Sequence, residues 1–525
     1  MSEPLPTPRQ SDPVPALDAT GQTGTPSFLA GDPSTHDLKR RTAHGALIST
    51  AAQGANFILR TGSMIILARL LLPKDFGLVG MVTAGTGFLD LFRDVGLSMA
   101  TVQRPSVTHG QTSTLFWINL AIGGLLAALC VAFAPLLVAF YGEPRLFWIT
   151  VALGAGFLFN GASAQHRAML QRGMRFGRIA IVDISALVLS IAAAVGGAAV
   201  GIGYWALVVM ATGIPAASAV GTWLAYRWVP GLPQRQTGVR SMLWYGGKAT
   251  LSNLSFYVAY NTDKVLLGRL FGADILGIYG RAYQLVNLPT QNLSSTIGGV
   301  AFPALARVQG DPVRLREYFL KGYAFYVSLV APITVTCAMF SEDIIRVMLG
   351  PKWSEAAPIF RLLAPTILAF ALLNPFGWLM LATDQAGRNL KIALLVVPVV
   401  ILGYTIGLVR GPHGVAAGFS LAMVILIVPV VSWAKQGTLI TWRGIIKAGG
   451  TPILSVAIGA GVVWLLARQL PHFEPALLRL TAETAVLFVT YLIVLLFVFG
   501  QLTVYTGLLR ETGLWRGGKR QPKEA

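Results

Sequence analysis

Hydrophobic positions along this chain come in long unbroken blocks, and polar positions gather in short breaks between them. Residues 392–409 (IALLVVPVVILGYTIGLV) and 484–509 (TAVLFVTYLIVLLFVFGQLTVYTGLL) contain no charge. A helix needs about 20 apolar residues to cross ~30 Å of hydrocarbon, so these blocks predict transmembrane helices. Fourteen follow one another: six within 39–226, six within 241–435 and two within 436–506. Spans 1 and 2 cover 46–68 and 76–100, and spans 7 and 8 cover 242–262 and 276–300.

The breaks have their own pattern. Residues 1–38 hold seven prolines and no apolar block, which reads as a disordered tail, and no basic start leads into an apolar run as a signal peptide requires. The stretch 227–240 (RWVPGLPQRQTGVR) has turn residues and reads as a linker between two halves. Residues 507–525 form a basic tail. Lys and Arg concentrate in alternate breaks, among them Arg167, Arg172, Arg175 and Arg178, then Arg307, Arg314, Arg316 and Lys321. The positive-inside rule then predicts that both termini are cytoplasmic. A repeat is also visible. ILARLLLPKDFGLVG (66–80) and LLGRLFGADILGIYG (266–280) share Leu67/Leu267, Arg69/Arg269, Leu70/Leu270, Gly77/Gly277 and Gly80/Gly280 at an offset of 200. Six spans per unit keep the two units in one orientation, so the expected fold is an all-α polytopic membrane protein. It would have two six-helix lobes in a parallel repeat, 39–226 and 241–435, plus two C-terminal helices.

Composition narrows the class. The chain is 54% hydrophobic and 12% charged, against about 25% charged in soluble domains, which excludes soluble, disordered and fibrous proteins. The formal charge of +19 is spread over short breaks, so membrane orientation explains it better than nucleic acid. Cys130 and Cys337 lie inside apolar blocks as packing residues, and the six His show no ligand spacing. No metal and no cofactor is expected.

Ionisable residues inside spans cost roughly 2.5–3.5 kcal/mol each and are functional candidates by default. Arg60 sits about fourteen residues into span 1 with no acid four positions away, so it needs an anion on another helix or on a substrate. Asp90, Arg93 and Asp94 share one face of span 2, either holding helices together as a self-neutralising group or facing a cavity. Lys248 of span 7 either meets a cargo or snorkels to the interface. Asp263 with Lys264 marks the aqueous end of the same span or carries an ion. Arg281 opens a polar stripe with Gln284, Asn287 and Gln291 in span 8. Cations around a hydrated cavity suit an anionic cargo, and guanidinium groups pair bidentately with phosphate oxygens. No nucleophile–His–acid set, HExxH, GxSxG or P-loop occurs in a suitable context, so the reading is of a binding protein and not an enzyme. The segment SEDIIRVMLGPKWSEAAPIF (341–360) either lies at the interface with Trp353 among headgroups or simply connects two spans.

The segments ILARLLLPKDFGLVGM, FLDLFRDVGLSMATVQRP and STLFWINLAIG resemble the N-terminal half of Wzx-type polysaccharide flippases, the lipopolysaccharide and exopolysaccharide exporters of the multidrug/oligosaccharidyl-lipid/polysaccharide superfamily. HRAMLQRGMRF, YNTDKVLLGRLFGADILGIYGRAYQL and FPALARVQGDPVRLREYFLKG extend the likeness over roughly 40–435. The resemblance implies two lobes around a V-shaped cavity in the bacterial inner membrane. It further implies movement of an undecaprenyl-diphosphate-linked oligosaccharide from the cytoplasmic to the periplasmic leaflet by alternating access. Arg60, Arg93, Lys248 and Arg281 occupy places comparable to the cationic residues that hold the diphosphate in that family, while Asp90 and Asp94 flank Arg93 and reduce its potential. Asp90, Asp94 or Asp263 would carry a coupling proton or sodium ion, and membrane lipids and a polysaccharide polymerase or export machinery are the further expected partners. The competing readings are a multidrug cation antiporter on the same fold and, from another class, a membrane glycan polymerase or glycosyltransferase.

Overall fold

The computed structural model describes the backbone of residues 35–93, 101–102, 107–233, 240–467 and 476–502, and the side chains of the same residues except 35–44, 46, 240–253, 386, 389–390 and 467. The tail expected over 1–38 falls outside the described residues up to position 34, as do 234–239 of the linker and the basic tail 507–525.

Local chemistry sets the helix ends. α1 (Thr35–Leu70) begins inside the stretch expected to be a tail. Its 36 residues rise about 54 Å, more than the ~30 Å hydrocarbon core needs. α2 (Pro73–Thr86) starts on a proline whose missing N–H costs nothing there. The Asp75 carboxylate accepts from the Leu72 N–H at 3.0 Å, and the helix tightens into a 3₁₀ turn over Gly87–Phe92. Next come α3 (His109–Tyr141), entered through a Thr108/Gln111 capping box, α4 (Leu146–Arg172), α5 (Phe176–Ala199) and α6 (Trp205–Ala225). The Arg240–Arg307 run breaks at Gly272, whose φ of 81° and ψ of −177° suit only a residue without Cβ. Its two parts are α7 (240–271) and α8 (273–307). α9 (Pro312–Met339) is capped by Asp311, which accepts from the Val313 and Arg314 N–H groups. After it come α10 (Ser341–Met348), α11 (Ala356–Leu363), α12 (Pro365–Ala382), α13 (Ala386–Gly407), α14 (Gly411–Ala434), α15 (Trp442–Ala467) and α16 (Ala476–Ile493). Ten stretches among the described residues are long and apolar enough to cross a membrane, one of which, Lys391–Ala434, contains both α13 and α14. Of the fourteen spans expected, those in α1 and in the Arg240–Arg307 run are not among the ten, and both helices carry polar stripes.

The repeat reappears in the packing. α3 packs on α4, α5 on α6, α4 on α6 and α1 on α5. In the second half α9 packs on α12, α13 on α14, α12 on α14 and α13 on the Arg240–Arg307 run, the same four pairings six spans later. α15 lies against α9 and carries α16. The linker's first residues dock on the first half, where the Gly231 N–H donates to Ser113 Oγ at 2.9 Å.

The halves meet chiefly through α2 and the Arg240–Arg307 run. A Cβ on Gly77 would overlap the Ala273 carbonyl oxygen, and one on Gly277 would overlap the Pro73 carbonyl oxygen. At the offset of 200, Gly77 matches Gly277 and Pro73 matches Ala273, so the two contacts are mirror versions of each other about a two-fold axis. Small residues that let backbones touch are how helices associate in lipid. Other cross-contacts gather at the same end. Trp353 is fully buried, donates from Nε1 to the Ala68 carbonyl at 2.8 Å, and sets its ring 5.4 Å from Phe76 at 70°. Arg69 Nη2 donates to the Val347 carbonyl at 2.7 Å, at the C-terminal end of α10. The 341–360 segment is therefore neither an interfacial helix nor a slack connection, since its tryptophan plugs the joint between the halves. The first half's share of the main core (Met64, Leu67, Leu71, Phe76, Leu78, Met81, Val82, Leu146, Ile149 and Val208, with four alanines) is much smaller than the second half's.

Gly77→Val and Gly277→Val are each expected to destabilise the protein by about 1–3 kcal/mol, read as a lower melting midpoint in detergent. Gly280→Ala, whose Cβ would meet nothing within 4 Å, is expected to change stability by less than about 0.5 kcal/mol.

Candidate functional site

Away from the joint the halves stay in contact where Tyr257 meets the end of α2, while α1 and α8 present exposed polar positions on the faces that continue from the joint. On α1 the inner stripe at the joint is Ser63, Met64 and Leu67, all buried. One turn earlier the same stripe carries Arg60, and two turns before that Gln53, both exposed. Leu47 and Ile58, 68% and 69% exposed, occupy the opposite, lipid-facing side. Gly45 and Ile48 pack on the α5 residues Phe176 and Gly177 along a third face. The exposed arginine and glutamine share their stripe with Phe57, 43% exposed, while Leu47 and Ile58 look the other way.

α8 answers from the other half. Starting at Gly277, positions 281, 284, 288, 291, 295 and 302 share one helical face, and below Arg281 this face carries exposed Gln284, Gln291, Ser295 and Phe302. Tyr279, Ala282, Tyr283 and Val286 are buried on the reverse side. Arg281 is half-buried beside the joint, with its guanidinium carbon 4.3 Å from the centre of the Phe76 ring. Among the described residues neither Arg60 nor Arg281 has a carboxylate partner. For Arg281 the ring is the substitute, a cation–π contact of about 2 kcal/mol when desolvated.

The remaining expected residues are placed differently. Asp90 and Arg93 pair with each other at 3.3 Å across the 3₁₀ turn that ends α2, and their side chains are 57% and 48% exposed. An exposed pair of this kind is worth at most about 1 kcal/mol, so it is a weak tie that other charges can replace. Asp94 lies outside the described residues, as does the side chain of Lys248. Asp263 does not mark an aqueous end. It is fully buried, accepts from the Tyr279 hydroxyl at 2.8 Å and from the Lys264 N–H at 2.8 Å, and belongs to the second half's own core. Lys264 donates to Asn261 Oδ1 at 2.7 Å and sits 4.8 Å over the Tyr283 ring. Arg60 and Arg281 are thus at least partly exposed on helices of opposite halves, whereas Asp263 is sealed in the second half's core.

Phe76, Trp353 and Tyr257 were not visible as site residues from the sequence. The Tyr257 hydroxyl crosses from α7 to donate to the Thr83 and Ala84 carbonyls at 3.0 and 3.1 Å. These aromatics stand in apolar blocks where nothing but tertiary contact marks them. The Gly77/Gly277 match marked the repeat but not the joint that these glycines form.

The family described as "Polysaccharide biosynthesis protein" matches residues 66–358. Over 443 residues the chain is 27% identical to "Lipopolysaccharide biosynthesis protein WzxC" of Escherichia coli (strain K12), covering 80% of this chain and 88% of that one. It is 24% identical over 338 residues to "Succinoglycan biosynthesis transport protein ExoT" of Rhizobium meliloti (strain 1021), covering 64% and 67% of the two. Among solved structures, lipid II flippase MurJ in an inward closed conformation superposes with a TM-score of 0.67 at 13% identity, over 89% of this chain and 99% of that one, and so shares the fold.

Asp263→Ala, which leaves the Tyr279 hydroxyl without its acceptor in a dry core, is expected to destabilise by about 1–3 kcal/mol. Arg60→Gln, at an exposed position, is expected to stay within about 0.5 kcal/mol of the parent. Thermal melts of the two variants in the same detergent check the contrast.

Proposed function

Because the chain belongs to the polysaccharide biosynthesis protein family, we propose that it is a transporter that carries a lipid-linked oligosaccharide across the bacterial inner membrane. The observation that carries this reading is the pair of arginines, Arg60 and Arg281, that are at least partly exposed on opposite halves with no carboxylate partner among the described residues. A partly buried guanidinium lacking an anion, as at Arg281, is costly, the exposed Arg60 is open to an incoming anion, and a diphosphate supplies oxygens in the geometry that a guanidinium fork accepts. The names of the relatives, a lipopolysaccharide biosynthesis protein and a succinoglycan biosynthesis transport protein, support the same cargo class.

With the basic breaks in the cytoplasm and both termini inside, a cleft between the halves opens to the cytoplasm and the joint closes the periplasmic side. An undecaprenyl-diphosphate-linked glycan enters from the cytoplasmic leaflet. Its diphosphate lies between Arg60 and Arg281, with Lys248 and Arg93 as further cations, its sugars against Gln53, Gln284 and Gln291, and its prenyl chain in lipid. Rocking of the halves about the joint turns the cleft outward. Asp263, held in its tyrosine cage, is the acid best insulated from the cargo and is our choice for a coupling proton or sodium ion, with Asp90 and Asp94 the alternatives. Membrane lipids and a polymerase or export machinery complete the partners. A cation antiporter would be served by unpaired acids facing the cargo, whereas Asp90 is paired with Arg93 and Asp263 is sealed in the second half's core. A polymerase or glycosyltransferase needs catalytic groups, whereas this cleft offers arginines and amides.

Each of Arg60→Ala and Arg281→Ala is expected to lower transport about 10- to 150-fold, the factor for losing 1.5–3 kcal/mol of charge-assisted hydrogen bonding. Lipid-linked repeat units should accumulate on the cytoplasmic leaflet of cells carrying either variant. Normal export by the well-folded double variant would defeat the assignment.

A further inference from the structure

We propose that Phe76 and Trp353 are positioning residues that tie occupancy of Arg281 to separation of the halves at the joint, an inference that rests on the diphosphate reading above. Four contacts form a chain. The Arg281 guanidinium of α8 stacks on Phe76 of α2 at 4.3 Å. The Phe76 ring meets the edge of Trp353, from the 341–360 segment, at 5.4 Å. Trp353 Nε1 donates to the Ala68 carbonyl of α1 at 2.8 Å, and Arg69 donates to Val347 at 2.7 Å. Each contact crosses from one half to the other, and each lies within a few residues of the glycine crossing of α2 and α8.

Arg281 is the partly exposed member of this chain, whereas Phe76 and Trp353 are buried, so a cargo would act on the chain through Arg281. With the cleft empty, the cation has the Phe76 ring as its partner, and that contact pulls α8 onto α2. A diphosphate is a stronger partner for a guanidinium than a benzene ring is. While the joint is closed, the guanidinium is divided between ring and phosphate. Once the joint opens, it belongs to the phosphate alone. The anion therefore binds the open-joint state more tightly, which is the differential affinity that any ligand-driven shift requires. After release the ring recaptures the cation, so the empty protein returns to the closed joint.

The test uses full-length protein in nanodiscs with Cys130→Ala and Cys337→Ala, spin-labelled at Leu72 and Lys352, two exposed positions on opposite sides of the joint. Geranylgeranyl diphosphate serves as the probe. In the parent, the probe is expected to add a longer label-to-label distance to the short one. Phe76→Leu, which keeps an apolar side chain and loses the ring, should raise the long-to-short ratio about tenfold or more without the probe, the factor implied by losing a desolvated cation–π contact. Phe76→Trp, which keeps a ring, should behave as the parent. Identical distances in Phe76→Leu and parent, with and without probe, would overturn the proposal. Radiolabelled probe on the same nanodiscs separates the two levels of inference. Binding without any change in distance removes the latch and leaves the diphosphate site standing, whereas no binding removes both.

Discussion

Two glycines that let α2 and α8 touch backbone to backbone are the constraint on which the rest of this molecule depends. A side chain at either position would overlap a carbonyl oxygen of the other helix. Lipid offers no hydrophobic force to press helices together, so the joint relies on close van der Waals fit and a few polar contacts. An attachment of that kind is firm when seated and separable when a competing contact appears. The interiors of the halves are built otherwise. Aromatic side chains such as Tyr279, Tyr404 and Phe419 pack around Asp263 in the second half, and the paired Arg167 and Asp183 lock α4 to α5 in the first. Rigid halves on a separable seam are what a rocking motion needs.

The distribution of polarity follows from the same geometry. At the joint, the α1 stripe is Ser63, Met64 and Leu67. Away from the joint, it becomes Arg60 and Gln53. α8 changes in step, from Gly277 at the crossing to Arg281 and then to Gln284 and Gln291. A charged residue facing hydrocarbon is disfavoured by several kcal/mol, and the outward positions Leu47 and Ile58 obey that rule. The polar residues of both stripes are confined to positions that water or a cargo can reach.

Much of this was legible in the residues. Long uncharged blocks fixed the helical membrane class, because few other structures satisfy backbone groups in lipid. The offset of 200 revealed the repeat, although only the backbone contacts show that its shared glycines form the joint. Arg60 stood out because a lone cation in an apolar block lacks a local partner. What remained hidden depends on contacts between distant segments. Trp353 in an amphipathic stretch looks the same whether it faces headgroups or a protein core, and only the Ala68 carbonyl and the Phe76 ring decide the matter. Asp263 beside Lys264 reads as an aqueous helix end until Tyr279, sixteen positions on, closes over the carboxylate. Periodicity carries no information about either neighbour.

The repeat also shows where duplication was kept and where it was given up. Gly77 and Gly277 agree because each serves a contact that the two-fold axis uses twice, and Leu67 and Leu267 are buried alike. Arg60 is matched by Tyr260, Ser63 by Asp263 and Arg281 by Met81. A symmetric pair of cations on each wall would set like charges against each other in a medium that screens them poorly. Neither Arg60 nor Arg281 has a repeat-related cation, since Tyr260 and Met81 stand at the matching positions, and that repulsion is avoided. The buried acid then needs no counterpart, since it sits in one half only and is walled in by its tyrosines. The repeat is therefore kept at the glycine crossing that makes the seam and lost at Arg60, Asp263 and Arg281, where the two halves differ in charge.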